Sequence, residues 1–194
     1  MRLQKNYWKE RNRKIKNLNP LISNIIRFVL LIFLQVYVLF EINPLHKQIV
    51  PYVYFAFILW LPFSVSKWWL LIIGFLTGLT IDYFTNQIGF HAAACSLVAY
   101  ARPLLISVLK SREVQEFSYR EPSIKSLDAA PYVTYVVVLT LLHNGWLSFL
   151  QWLQFGSFLQ FIIRVLLYSA ISILLIFTIE LIFPRRLKFK TNVR

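Results

Sequence analysis

Long apolar runs separated by short polar segments dominate this sequence, and they restrict it to a small set of folds. Of its 194 residues, 58% are hydrophobic and only 15% are charged, a balance too apolar for a soluble domain of this length. A helix needs about 20 apolar residues to cross a bilayer, and several runs approach that length. The sequence therefore predicts an all-α, multi-pass membrane protein with a single membrane domain.

Six apolar runs are candidates for membrane-spanning helices. The second run begins at Pro51 and is closed by Pro62, so it is either a short tilted span or the weakest of the six. Asn86 and Gly89 suit a tight turn between the third and fourth runs. The six runs cover residues 21–42, about 49–63, 67–85, 90–109, 131–152 and 158–183.

Positive charge is concentrated at the two ends of the chain and in one internal loop. The formal net charge is +13; seven cations precede the first apolar run and five follow the last. Because cytoplasmic segments are rich in Lys and Arg, this bias predicts six spans with both termini in the cytoplasm. The tails should attract anionic lipid, and we expect no nucleic-acid partner. The domains are then a basic N-terminal tail (1–20), a six-helix membrane domain (21–183) with a polar cytoplasmic loop (110–129), and a basic C-terminal tail (184–194).

An ionisable residue, Asp82, lies inside the third apolar run, where an unpaired charge is costly. At about 1.5 Å per helical residue, Asp82 lies roughly 22 Å from the cytoplasmic side. His143 in the fifth run and Arg164 in the sixth fall at nearly the same depth. We therefore expect these three side chains to form an intramembrane polar layer with a structural role in packing. A proton relay through Asp82 and His143 is a less favoured alternative, because few other polar groups accompany them.

A second set of polar residues lies nearer the cytoplasm. Arg27, Arg102 and Glu180 fall within about 10 Å of one another in depth, and we interpret them as mainly interfacial because arginines can snorkel. His46 and His91 are predicted at membrane interfaces, solvated and not bound to metal. The sequence contains no zinc-binding, nucleophile-elbow or phosphate-loop motif. We expect no catalytic residues, no metal and no cofactor.

Small residues mark a helix-packing surface in the third and fourth runs. Gly74, Gly78 and Asp82 are spaced by four residues, so they share one face of the third helix. The fourth run begins with small residues, including Ala92 and Ser96, that allow two backbones to approach closely. The sequence predicts that the third and fourth helices pack tightly against each other.

The same residues carry a resemblance to a known family. Residues 76–94 contain a Gly-Leu step leading to an Asp, then a short polar turn, and then a Gly followed by a small-residue helix. This segment resembles the signature of the rod shape-determining protein family MreD, which Gly78, Asp82 and Gly89 match residue by residue. The run at 51–62, the chain length and the basic ends are also similar to that family.

The resemblance implies a non-enzymatic scaffold in the bacterial inner membrane that supports cell shape and lateral peptidoglycan synthesis. It implies binding to an MreC-like bitopic protein, a RodA-like glycan polymerase and a class B penicillin-binding protein, and an indirect link to the actin-like MreB. It also implies a compact six-helix fold similar to the substrate-binding membrane subunits of energy-coupling-factor transporters.

Two other functions stay open. The first is a substrate-binding subunit of an energy-coupling-factor transporter, whose first helix commonly presents small residues to its partner. Residues 21–42 contain neither Ala nor Gly, which disfavours such docking. The second is an enzyme acting on lipid-linked wall precursors, with Arg102, Arg164 and Asp82 holding phosphates or a metal. It is the least favoured, because the carboxylates are too few for a metal site.

Overall fold

The computed structural model describes residues 22–41, 51–87, 89–109, 121–155 and 157–182, and within these residues it contains helices and no strand. Five of the helices are long and apolar enough to cross a membrane, so the chain has the make-up of a multi-pass helical membrane protein. Two further helices are short. In chain order, the helices are α1 (Ile22–Leu39), α2 (Ala56–Trp60), α3 (Lys67–Thr85), α4 (Phe90–Leu109), α5 (Ile124–Leu127), α6 (Ala129–Phe155) and α7 (Phe158–Ile182).

The second apolar run differs from the prediction of a spanning helix. Within the part of the run that is described, only the five residues of α2 are helical, so five candidate spanning helices stand in place of the six predicted. Pro62 explains why the helix ends where it does. Proline disfavours the helical conformation in the residue before it, and Leu61, which precedes Pro62, is extended with ψ of 148°.

Residues 51–61, here called the buried segment, run through the middle of the helix bundle. Val53, Tyr54 and Leu59 have no exposed surface at all. Near its start the segment contacts His91 in the first turn of α4, and at its end the Leu61 carbonyl accepts a hydrogen bond from Arg102 on the same helix. From position 91 to position 102, a helix advances roughly 16 Å, so the buried segment covers much of the depth of the bundle.

Four long helices surround the buried segment. On α1, Phe28 stacks at a tilt against Phe57, with ring centroids 5.2 Å apart. On α7, the Ser172 hydroxyl accepts a hydrogen bond from the backbone N–H of Tyr52 at 3.1 Å. Two further walls are α4 and α6, which also pack against each other, and α3 makes a smaller contact with α2. The segment is thus the core around which the helices are arranged.

Helices α3 and α4 approach each other closely along the glycine face of α3. A Cβ atom added to Gly74 would lie 2.7 Å from Cβ of Ala99. One added to Gly78 would lie 2.2 Å from the carbonyl oxygen of His91 and 2.4 Å from Cα of Ala92. Ser96, which is predicted to be part of this packing surface, donates a hydrogen bond to the Ala92 carbonyl within α4, at 2.8 Å. Only glycine therefore leaves room for the α4 backbone at position 78.

Replacing Gly78 with Ala should lower the free energy of unfolding, because the added methyl group would overlap backbone atoms of α4. Overpacking of this kind costs about 1–3 kcal/mol. The matched control is Gly145→Ala on α6, where an added Cβ would meet nothing within 4 Å. That control should leave stability unchanged or raise it by up to about 1 kcal/mol. Denaturation in detergent followed by circular dichroism measures both, and equal stability of the two variants would contradict the close approach.

Candidate functional site

Asp82 joins the end of α3 to the start of α4. Its Oδ1 accepts a hydrogen bond from the backbone N–H of His91 at 2.8 Å. Its Oδ2 accepts from the backbone N–H groups of Gly89 and Ala92, each at 3.0 Å. The first N–H groups of a helix have no partner within the helix, and the helix dipole favours negative charge there. The carboxylate is therefore stabilised by α4 itself, and no cation among the described residues pairs with it.

The turn between the two helices has the backbone conformation that this arrangement requires. Asn86 ends α3 in the left-handed conformation, with φ of 55°, and its N–H donates to the Asp82 carbonyl. Gly89 has φ of +93°, a value that side chains rarely permit. These two residues reverse the chain so that the first N–H groups of α4 point at Asp82. Gly78, Asp82 and Gly89 thus form one structural joint, here called the α3–α4 joint.

In the structure, the three members of the predicted polar layer have different partners. Asp82 bonds to the backbone of α4, and His143 bonds to Tyr54 and Asn144. Arg164 is half-buried, and its Nε has no hydrogen-bond partner among the described residues. Depth alone does not specify direction around a helix, and the α3–α4 turn supplies N–H donors that no depth estimate includes.

A chain of hydrogen bonds lies at the centre of the bundle. The Tyr54 hydroxyl is 2.7 Å from Nδ1 of His91 and 2.8 Å from Nε2 of His143. Nδ1 of His143 is 2.9 Å from Oδ1 of Asn144, and Nδ2 of Asn144 donates to the Ser169 hydroxyl at 3.3 Å. These five residues, here called the central polar chain, come from the buried segment, α4, α6 and α7.

The acceptor on Asn144 sets the direction of the whole chain when both imidazoles are neutral. An amide carbonyl can only accept, so Nδ1 of His143 carries the proton and Nε2 accepts from the Tyr54 hydroxyl. The Tyr54 oxygen then accepts from Nδ1 of His91. Each described bond therefore pairs a donor with an acceptor, and the chain ties three helices to the buried segment.

The prediction that His91 is solvated at a membrane interface is wrong, because its side chain is buried with 1% exposure. It follows the turn so closely that its backbone N–H is bonded to Asp82, and its ring points into the bundle toward Tyr54. A buried imidazole needs a hydrogen-bond partner. Tyr54 supplies it from another part of the chain, where the sequence offers only an aromatic residue in an apolar run.

Arg102 also differs from the predicted interfacial position, because only 2% of it is exposed. Its Nε donates to the Tyr135 hydroxyl at 3.0 Å, and its Nη2 donates to the Leu61 carbonyl. The Tyr135 hydroxyl in turn donates to the Leu59 carbonyl at 2.8 Å. The guanidinium therefore satisfies the end of the buried segment instead of snorkelling to the interface.

The other members of the predicted cytoplasmic layer bond elsewhere. Arg27 pairs with Glu121 at 2.8 Å between Nη1 and Oε2, which ties α1 to the segment before α5. Glu180 accepts a hydrogen bond from the Tyr132 hydroxyl, which ties α7 to α6. His46 lies outside the described residues.

The described residues contain no group of three or more His, Cys, Asp or Glu side chains close enough to hold a metal ion. The Tyr54 hydroxyl already bonds to both His91 and His143, so the arrangement is suited to holding helices in register. Comparisons with known protein families, with curated proteins and with solved structures found no match.

Replacing Asp82 with Asn should lower the free energy of unfolding by about 1–3 kcal/mol, because an amide nitrogen cannot accept from the N–H groups of α4. Arg164→Gln should change it by about 0.5 kcal/mol or less, since Arg164 is not a partner of Asp82. Thermal unfolding of the purified variants in the same detergent measures both effects. Equal losses in the two variants would instead indicate a functional ion pair between Asp82 and Arg164.

Proposed function

We propose that this chain is a non-enzymatic scaffold subunit of the MreD type, in the bacterial inner membrane, within the machinery that elongates the peptidoglycan wall. The observation that carries the proposal is the α3–α4 joint. Gly78, Asp82 and Gly89 are the residues that carry the family resemblance, and they meet in this one joint. A signature of this kind preserves an arrangement of helices, which is what a scaffold must present to its partners.

The interior of the bundle supports a structural role. Members of the central polar chain bond to one another. Gln35, Arg102 and Tyr135 bond to backbone groups of the buried segment. Buried polar networks of this kind rigidify a core when their members are satisfied. Partner recognition then belongs to the outer helix surfaces, where large apolar side chains such as Trp68, Tyr83 and Leu181 are exposed.

We propose that the chain crosses the membrane six times, with both termini in the cytoplasm. The supporting observation is the buried segment, which passes from the level of His91 to the level of Arg102 and leads into α3. Although mostly non-helical, it would serve as the second crossing. Reporter fusions at the two ends should both report a cytoplasmic location, and an external location of either end would contradict this topology.

The partners that this proposal implies are an MreC-like bitopic protein, a RodA-like polymerase and a class B penicillin-binding protein, with MreB bound indirectly. Transmembrane helices associate through shape-matched surfaces and not through a hydrophobic driving force. A partner surface on this chain therefore depends on the relative positions of its helices. Disturbing the α3–α4 joint should weaken partner binding without touching any exposed residue.

Co-purification from a bacterium that expresses the chain together with an MreC-like protein tests the proposal. The unmodified chain and Gly145→Ala should retain the MreC-like protein, whereas Gly78→Ala should retain several-fold less at equal membrane levels. An unrelated bitopic protein is the negative partner control. Depletion of the chain in its host should round the cells and disperse wall insertion.

Normal cell width and wall insertion after depletion would contradict the scaffold proposal. Binding of a vitamin to the purified chain, seen by calorimetry, would instead favour the substrate-binding subunit of an energy-coupling-factor transporter. Turnover of a lipid-linked wall precursor by the purified chain would favour an enzyme.

A further inference from the structure

A cavity of about 280 Å³ opens between the first turns of α3 and the last turns of α4. Lys67, the first residue of α3, lies on one side of it. Arg102 and Ser107 lie on the other side, on α4. Trp68 and Trp69 follow Lys67 and are 79% and 63% exposed, as aromatic residues are where a membrane meets water. These tryptophans indicate that the Lys67 side of the cavity faces the membrane interface, at the end of α3 and α4 remote from Asp82, whereas Arg102 forms a buried wall.

Pro103 explains why a cavity exists at this end of the α3–α4 packing surface. It lies within α4 and lines the cavity. A proline inside a helix removes one backbone hydrogen bond, and its ring pushes against the preceding turn. The last turns of α4 are therefore free to diverge from α3, whereas the glycine face holds the other ends together.

Arg102 has one donor group left for a ligand. Its Nε and Nη2 are used by Tyr135 and Leu61. No described residue accepts a hydrogen bond from its Nη1. The guanidinium is held in place by the two bonds that it makes, so Nη1 is a fixed donor. Fixed guanidinium groups bind phosphate more favourably than mobile ones, because less side-chain freedom is lost.

The charges that line the cavity have one sign. Lys67 and Arg102 are cationic, and among the described residues that line the cavity there is no carboxylate. The other walls are largely apolar and include Phe63, Leu70 and Ile106. We propose that this cavity binds one anionic phospholipid, whose phosphate lies between Lys67 and Arg102 and whose acyl chain lies against the apolar walls. This site is separate from any binding of lipid by the basic tails, and it does not depend on the scaffold proposal.

The apolar walls favour a lipid over free phosphate. A free anion would be bound by the two cations alone and would leave apolar walls such as Val65 and Ile106 uncovered. An acyl chain covers them, and the lipid is already concentrated at this depth of the membrane. A zwitterionic headgroup would bring a third cation close to Lys67 and Arg102, and the repulsion between like charges opposes binding.

Native mass spectrometry of the full chain, purified in a neutral detergent, tests this site with added phosphatidylglycerol and phosphatidylcholine. One phosphatidylglycerol should be retained in preference to phosphatidylcholine. Lys67→Gln should weaken that retention roughly fivefold, the effect typical of one cation near an anionic lipid. The matched control is Lys125→Gln, because Lys125 is also an exposed lysine, on α5 and outside the cavity. It should retain the lipid as the unmodified chain does.

A second variant separates the lipid from free phosphate. Ile106→Trp fills the apolar part and leaves both cations, so it should lower retention of phosphatidylglycerol, and millimolar inorganic phosphate should not displace the lipid from the unmodified chain. Equal retention of the two lipids would overturn the proposal, as would equal losses in Lys67→Gln and Lys125→Gln. Displacement by inorganic phosphate with no effect of Ile106→Trp would show a free phosphate site instead. Unchanged thermal unfolding of each variant excludes misfolding as the cause.

Discussion

The backbone of the buried segment imposes the constraint on which the rest of the structure depends. A non-helical backbone at membrane depth cannot use water, so its N–H and C=O groups need partners within the protein. Side chains from four helices supply them. Gln35 on α1 bonds to both Pro51 and Val53, at 3.0 and 2.8 Å. The other supports are Ser172 on α7, Tyr135 on α6 and Arg102 on α4.

These supports explain why polar residues are retained in so apolar a bundle. Each unsatisfied backbone group in hydrocarbon costs several kcal/mol, so each support stabilises the fold by more than a hydrogen bond between exposed groups would. They also specify the arrangement, because a helix that turned or slid would withdraw its side chain from the segment. The α3–α4 joint acts in the same way at the end of the bundle, where Asp82 fixes α4 through its first N–H groups.

The sequence predicts the long helices well. It predicts poorly which residues, distant in the sequence, bond to one another. The spans predicted at 67–85 and 90–109 agree with α3 and α4 because apolar length and the turn residues Asn86 and Gly89 define them. The importance of Asp82 follows from the cost of a buried carboxylate. Its partners do not follow, because a local turn decides which groups reach it. Residues 51–62 were ambiguous for a related reason, since their support comes from residues more than ten positions away.

His91 and Arg102 show the limit most clearly. Each is a polar residue near the end of a predicted span, where solvation or snorkelling is the ordinary expectation. Both are buried because the buried segment offers them partners, Tyr54 and Leu61. A sequence pattern cannot reveal that a short apolar run lies at the centre of the bundle and not at its edge. The arrangement of the helices therefore depends on the position of that run at the centre of the bundle.

Hydrogen–deuterium exchange of the full chain in lipid nanodiscs tests that claim most directly. Peptides that cover residues 51–61 should exchange as slowly as those from the middle of α4, although most of these residues are not helical. Gln35→Ala should speed exchange at the start of the segment, where it removes the partner of the Val53 N–H. Exchange of residues 51–61 at the rate of an unstructured peptide, in the unmodified chain, would contradict the account.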